Sequence, residues 1–447
     1  MSPSTYTPLE LVLEILHFVA AAPQQDQARR AMSACALVSR TWRELVQPLQ
    51  WRNISIHFLS DDGNDQFDED DDPEFLQYIR SQKAIYTREV TKAEIVSFFQ
   101  EHSDVARHVR SLTLAPLDPL DMREVLGRMQ SQELFDIVRR LPHLQDLHLS
   151  RIWLDTRNST PTFPPLRLLS VDHDCDAPRL PPTKALAVLD ALSDVQQVIL
   201  KRSLVDCPDT LNNWPISCKP KSIVIQDKAL QSFLSRLVVS RAVKANQLQM
   251  LHLGPIQPLS WILLKPILEQ TSSTLKRLSL SFDPEYTSYA PIPATDPAGG
   301  LVSSLLSTCS QLQYLKLQFT EPDGFNFSAW QDVYLLLQGL DRHGTSPLRV
   351  LRLEVVTDEG QKPIYDITAG YILGRDIEDL LLRLPHLESV QLTFEKGYRH
   401  KGVGPKAQAQ INSFWDRLSA RGLLHYVESE YDYPAVFQAQ FNETARW

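Results

Sequence analysis

At 447 residues the chain has the length of about three globular units, unless it is a repeat array. Apolar residues at 43% and charged residues at 22% exclude general disorder and leave material for a continuous core. The formal charge of -9 argues against a nucleic-acid binder that works through a broad phosphate-contacting surface.

The apolar stretch at residues 9–22 is too short to span a bilayer and contains Glu10, Glu14 and His17. No basic residue precedes it, so neither a membrane span nor a signal peptide is expected. Residues 8–19 read as a helix, with Pro8 in the tolerated first turn and Leu11, Ile15 and Val19 on one stripe. Leu9, Val12, Leu13, Leu16 and Phe18 lie outside that stripe, and a helix apolar on two sides needs two neighbours. A second helix is predicted over residues 27–46, ending at Pro48. About 50 residues are at the limit of what folds alone, so this unit leans on the next domain or on a partner. On pattern alone, an N-terminal cap and a docking domain fit equally.

The run Pro8-Leu9-Glu10-Leu11-Val12-Leu13-Glu14-Ile15-Leu16 is followed by Ala34-Cys35-Ala36-Leu37-Val38-Ser39-Arg40-Thr41-Trp42-Arg43-Glu44-Leu45 and Leu49-Gln50-Trp51-Arg52. Together these segments resemble the F-box motif, in particular that of fungal F-box-like proteins. The resemblance covers roughly the first 55 residues. It implies docking on a Skp-type adaptor and, through it, on a cullin scaffold. By motif position, Pro8, Leu11, Ile15, Leu16, Leu37, Val38 and Trp42 form or support the adaptor-facing surface.

Between Ser60 and Glu74 lies a run of aspartates and glutamates that reads as a solvated, self-repelling loop. Asp61, Gly63, Asn64 and Asp65 suggest a calcium loop, but the spacing and the terminal glutamate are absent.

From residue 109 the phrase L-x-x-L-x-L recurs, at 109–114, 144–149, 166–171, 195–200, 223–225, 248–253, 275–280, 312–317, 348–353 and 387–392. Its last apolar residues alternate with polar ones, the pattern of a short strand with one buried face. Amphipathic helical segments fall between phrases, at 185–192, 230–238, 261–268, 301–306, 333–340 and 377–384. Strand then helix, repeated, predicts an α/β solenoid, a horseshoe with a parallel sheet on its concave side. The phrases resemble the leucine-rich repeats of F-box receptors, in an irregular version.

Parity puts His148, Lys201, Arg277, Lys316, Arg352 and Gln391 on the exposed strand face, with Asp146, Met250, His252, Tyr314 and Glu354. Lys201, Arg277, Lys316 and Arg352 could form a basic stripe for an acidic or phosphorylated target segment; a merely solvated face is the plainer alternative. With His148 they are the candidate target contacts, joined by the insertions at 281–300 and 320–328.

Asp172-His173-Asp174-Cys175-Asp176 is chemically suggestive, but alternation along a strand keeps the five from converging on one ion, and a turn fits better. The five cysteines, Cys35, Cys175, Cys207, Cys218 and Cys309, include no C-x-x-C pair, which fits a reducing compartment and no zinc module. The sequons at Asn53, Asn158, Asn326 and Asn442 then read as chance matches. Gly402-Val403-Gly404-Pro405-Lys406 lacks the full phosphate-loop spacing, and no G-x-S-x-G or H-E-x-x-H phrase occurs.

The expectation is therefore a non-enzymatic, cofactor-free cytoplasmic or nuclear protein that binds neither membrane nor nucleic acid. Its domains are read as an F-box-like unit at 1–57, an acidic loop at 58–74, a helical connector at 75–108, a solenoid at 109–398 and a cap at 399–447. With the adaptor and an unknown target as partners, the resemblance implies a ubiquitin-ligase substrate receptor. A repeat scaffold without ligase function is the alternative.

Overall fold

The computed structural model describes residues 16, 25–58, 91–116, 127–155, 163–172, 194–201, 220–226, 247–256, 260–282, 304–321, 328–341, 346–357, 371–396 and 405–427. The chain divides into two compact units, Met1–Pro220 and Lys221–Trp447. The acidic loop, most of the first helix, the helices expected at 185–192 and 230–238 and most of the 281–300 and 320–328 insertions lie outside the described residues. So does the Asp172 cluster beyond its first member.

In the first unit, helices α1 (Gln25–Ala36) and α2 (Arg40–Gln50) replace the single helix expected over 27–46. Ser39 explains the break: its backbone is extended and its hydroxyl accepts from the Trp42 backbone N–H at 3.2 Å, capping α2. Pro48 does not stop α2, which runs on through it for two residues; so close to the end, only one intrahelical bond is forfeited.

Strand β1 (Asn53–Phe58) follows at once and pairs in parallel with β2 (Ser111–Pro116), so the sheet begins well before the first phrase at 109–114. Helix α3 (Lys92–Glu101), with a Thr91–Glu94 capping box, and the one-turn α4 (Ser103–Ala106) connect these two strands. Strand β3 (Gly127–Gln130) leads into α5 (Ser131–Arg139) and then β4 (Asp146–Ser150). Strands β5 (Ile152–Asp155), β6 (Leu166–Asp172) and β7 (Val195–Lys201) complete the unit. The order is β1-β2-β4-β6-β7, all parallel, with a separate parallel pair β3-β5. Buried Lys92 joins three elements here, lying 3.6 Å from Glu133 of α5 and over the Phe58 ring of β1.

The second unit carries β8 (Ser222–Gln226), β9 (Met250–Ile256), α6 (Ser260–Thr271), β10 (Arg277–Phe282) and β11 (Tyr314–Glu321). Helix α7 (Ser328–Asp341), β12 (Val350–Thr357), α8 (Tyr371–Arg383) and β13 (Ser389–Lys396) follow. Helices α9 (Pro405–Phe414) and α10 (Asp416–Ala420) and the short β14 (Leu424–Tyr426) end it. Its strands run in chain order and in parallel from β8 to β14.

All ten phrases are thus strands, and their leucines are the core: Leu278, Leu280, Leu315, Leu317, Leu351 and Leu353 are fully buried. A parallel order with helical crossovers, closed in neither unit, is an α/β arrangement compatible with a solenoid.

The cap read over 399–447 holds two helices, α9 and α10, broken at Trp415. The indole of that buried residue donates to the Gly374 carbonyl of α8 at 3.1 Å. Glu378, also on α8 and fully buried, accepts from the backbone N–H groups of Arg417 and Leu418, both at 3.0 Å, and from the Arg417 guanidinium. This α8 carboxylate, bound at the first turn of α10, thus holds the last helix to α8.

Candidate functional site

Two regions hold the sequence-predicted residues. The first is the α1–α2 corner. Leu16, helical and fully buried, packs with Met32 and Val46, and Cys35, Ala36, Trp42, Leu45 and Leu49 close around them. Gln50 ties the helices by donating to the Ser33 hydroxyl at 3.1 Å. The turn between the helices is made by the Leu37 and Val38 backbone N–H groups, which donate to Ala34 and Cys35 carbonyls, both at 3.1 Å. That turn lifts both side chains off the core. Leu37 is 79% and Val38 65% exposed, the two most exposed large apolar side chains among the described residues. Of the set that the F-box resemblance would turn toward an adaptor, the structure displays Leu37 and Val38, buries Leu16 and half-buries Trp42; Pro8, Leu11 and Ile15 lie outside the described residues.

The second region is the face of β8–β13 opposite the leucines. Register aligns His252, Ser279, Lys316, Arg352 and Gln391 in one row across five strands. The exposure expected there is overturned. Lys316 is 5%, Arg352 6%, Glu354 1% and His252 2% exposed, and Met250 and, in the first unit, Asp146 are buried too. Strands about 4.8 Å apart set same-face side chains shoulder to shoulder, and opposite charges draw the long ones down across their neighbours. Glu354, two residues beyond Arg352 on the same face, accepts from the Arg352 guanidinium at 2.9 Å and pairs with the Lys316 ammonium. Arg277 and Gln391 keep partial exposure, as does His148 in the first unit; the side chain of Lys201 lies outside the described residues.

The electrostatics follow from this burial. His252 is held neutral, its pKa pushed down to about 3 by desolvation first and by the Lys316 charge second. Desolvation likewise pushes the Tyr314 phenol above its ordinary range. Ser279 Oγ, Arg352 Nε and Thr393 Oγ1 make no hydrogen bond among the described residues. The cluster is an ion-paired interior, with no activated nucleophile in it. Elsewhere in the second unit the Cys309 thiol is pushed up to about 12 by burial, which keeps it protonated. Among the described residues no group of His, Cys, Asp and Glu could hold a metal ion, and no helix is long and apolar enough to cross a membrane.

Sequence reasoning placed Glu354 on this face but missed its role as the shared counter-ion. The signal was there in Arg352-x-Glu354, since residues two apart on a strand share a face. Comparison with known proteins finds no matching family model and no matching curated protein.

Proposed function

We propose that this chain is the substrate-recognition subunit of an SCF-type cullin–RING ubiquitin ligase. In this reading the N-terminal helices dock on a Skp-type adaptor, and the parallel strands form an irregular leucine-rich-repeat solenoid that holds a target protein. The mechanism is proximity: target lysines are kept within reach of a conjugating enzyme carried by the same cullin. No residue of this chain performs chemistry, and the site of action is the cytoplasm or nucleus.

One observation carries the reading. Leu37 and Val38 are apolar, adjacent and more than half exposed, at positions the F-box resemblance assigns to the adaptor. A tight turn backed by the Leu16, Met32 and Val46 core presents them, so they sit ready for a partner without reorganisation. Fully covering one such side chain contributes about 1.5–3 kcal/mol. Of the residues assigned to the target, His148 and Arg277 retain exposure, while Lys316 and Arg352 support that face from within.

One observation favours a second reading, a repeat scaffold without ligase function. Leu16 and Trp42 pack into the internal core of the corner, as the residues of a simple cap would. The deciding experiment is a pull-down of the purified chain with a Skp-type adaptor, comparing wild type with Leu37→Asp/Val38→Asp. Both side chains are exposed, so the variant keeps its fold, to within about 0.5 kcal/mol. Capture by wild type and loss in the variant supports the ligase reading. No capture by folded wild type leaves the scaffold.

A further inference from the structure

The exposed positive charge of the first unit is concentrated where the strands begin. The N–H groups of Arg110 and Ser111 both donate to the Arg52 carbonyl, at 2.8 and 2.9 Å, and those of Gln145 and Asp146 to the Arg110 carbonyl, again at 2.8 and 2.9 Å. The N-terminal ends of β1, β2 and β4 are therefore in step, about 4.8 Å apart. The Arg110 guanidinium donates to the His143 carbonyl at 3.2 Å, reaching the turn that follows Arg139 and Arg140 at the end of α5. Arg107 closes α4 just before β2, and its guanidinium donates to His108 at 3.3 Å.

Arg52, Arg107, Arg110, Arg139 and Arg140 share one property: none forms an ion pair among the described residues. Three other cations of the same unit are matched, Arg40 with Glu44, Lys92 with Glu133 and Arg167 with Asp146, while Arg30 and Arg43 of the α1–α2 corner also form no ion pair among the described residues. The field of the cluster is felt by His108, whose pKa is lowered by burial and then by the charges of Arg107 and Arg110, against a smaller opposing effect of Asp104. Five guanidiniums without an ion-pair partner among the described residues make this rim locally positive in a chain of net charge -9, and an anionic partner supplies the counter-charges they lack.

We propose that this rim binds an acidic, carboxylate-rich segment of a partner protein. Three adjacent strand ends span about 10 Å, the reach of three or four extended residues. That length suits a short acidic run, whose carboxylates each take a guanidinium fork. Duplex DNA needs a longer cationic track and is repelled by the rest of the chain. The rim shares no residue with the strand-face stripe or the Leu37–Val38 turn, so the proposal stands or falls independently of the ligase reading.

The test is fluorescence anisotropy of the full chain with a labelled peptide of about a dozen Asp and Glu residues, at about 0.1 M salt. Wild type binds. Arg107→Glu/Arg110→Glu/Arg140→Glu weakens binding about tenfold or more, while the same three positions changed to Lys retain most of it. Lys276→Glu in the second unit leaves binding unchanged. Arg107→Gln/Arg110→Gln/Arg140→Gln gives the same reading should the reversal variant fail to fold. Absence of binding by wild type overturns the proposal, as does equal loss in the Lys276→Glu control or tighter binding of a DNA duplex than of the peptide. Arginines that serve only the C-terminal dipoles of α4 and α5 give a lowered melting temperature with peptide binding unchanged, which also overturns it.

Discussion

The neutral His252 makes the second unit sensitive to mild acid, and the size of the effect can be worked from its surroundings. Folded, the imidazole resists protonation until about pH 3; unfolded, it protonates near 6.5. Between those values the unfolded chain binds the extra proton, so stability rises with pH across the window and is lost as pH falls through it. One pKa unit corresponds to about 1.36 kcal/mol, and pH 5.0 lies about one and a half units below the unfolded value, so about 2 kcal/mol goes between pH 7.5 and 5.0. His252→Gln keeps a neutral polar side chain that does not titrate. Urea unfolding of both proteins at the two pH values, followed by tryptophan fluorescence, isolates the effect, because every other titrating group is common to both. Wild type should lose about 2 kcal/mol more than the variant. Equal pH dependence in the two proteins refutes the reasoning, since it means that His252 is protonated or solvated in the folded state.

Glu354→Ala strands two buried cations and should cost about 3–5 kcal/mol in urea unfolding, whereas Glu354→Leu combined with Lys316→Met and Arg352→Met should recover most of it, because replacing a whole buried ion group by apolar residues is close to neutral. Glu378→Ala frees the first turn of α10 and should cost about 3 kcal/mol, with faster amide exchange at Arg417 and Leu418 than in Glu378→Gln, which keeps an acceptor.

The strands were the most legible part of the sequence, because a phrase with apolar residues at its first, fourth and sixth positions fits a strand end entered from a helix. Every phrase from 109–114 to 387–392 became a strand. Strand β1 carries the same alternation in Ile54, Ile56 and Phe58, but it follows α2 after only two residues and so falls almost wholly within the F-box-like unit read over 1–57. The break between α1 and α2 was hidden for a different reason. Leu37 and Val38 look like two more core residues of one long helix, and only the Ser39 cap shows that they belong to a turn.

The candidate sites were less legible, because periodicity assigns a side chain to a face without saying how crowded that face is. Parity correctly put His252, Lys316, Arg352 and Glu354 together, opposite the leucines. Their burial depends on register between strands far apart in sequence, where a one-residue slip would exchange the two faces. The second position of most phrases obeys yet another rule. Its N–H and that of the next residue share the carbonyl of the preceding repeat, as when Arg349 and Val350 donate to Gln313, at 2.9 and 3.1 Å. The chain turns there from connection into strand, and the second residue stays at the rim, where Lys276, Gln313 and Arg349 are exposed. Core packing constrains the leucines and leaves the rim positions open to long polar side chains. The same repeat that makes the fold readable therefore says least about the positions a partner meets. At those positions the informative quantity is whether a charge finds its counter-ion within the chain, as Arg167 does with Asp146 and Arg110 does not.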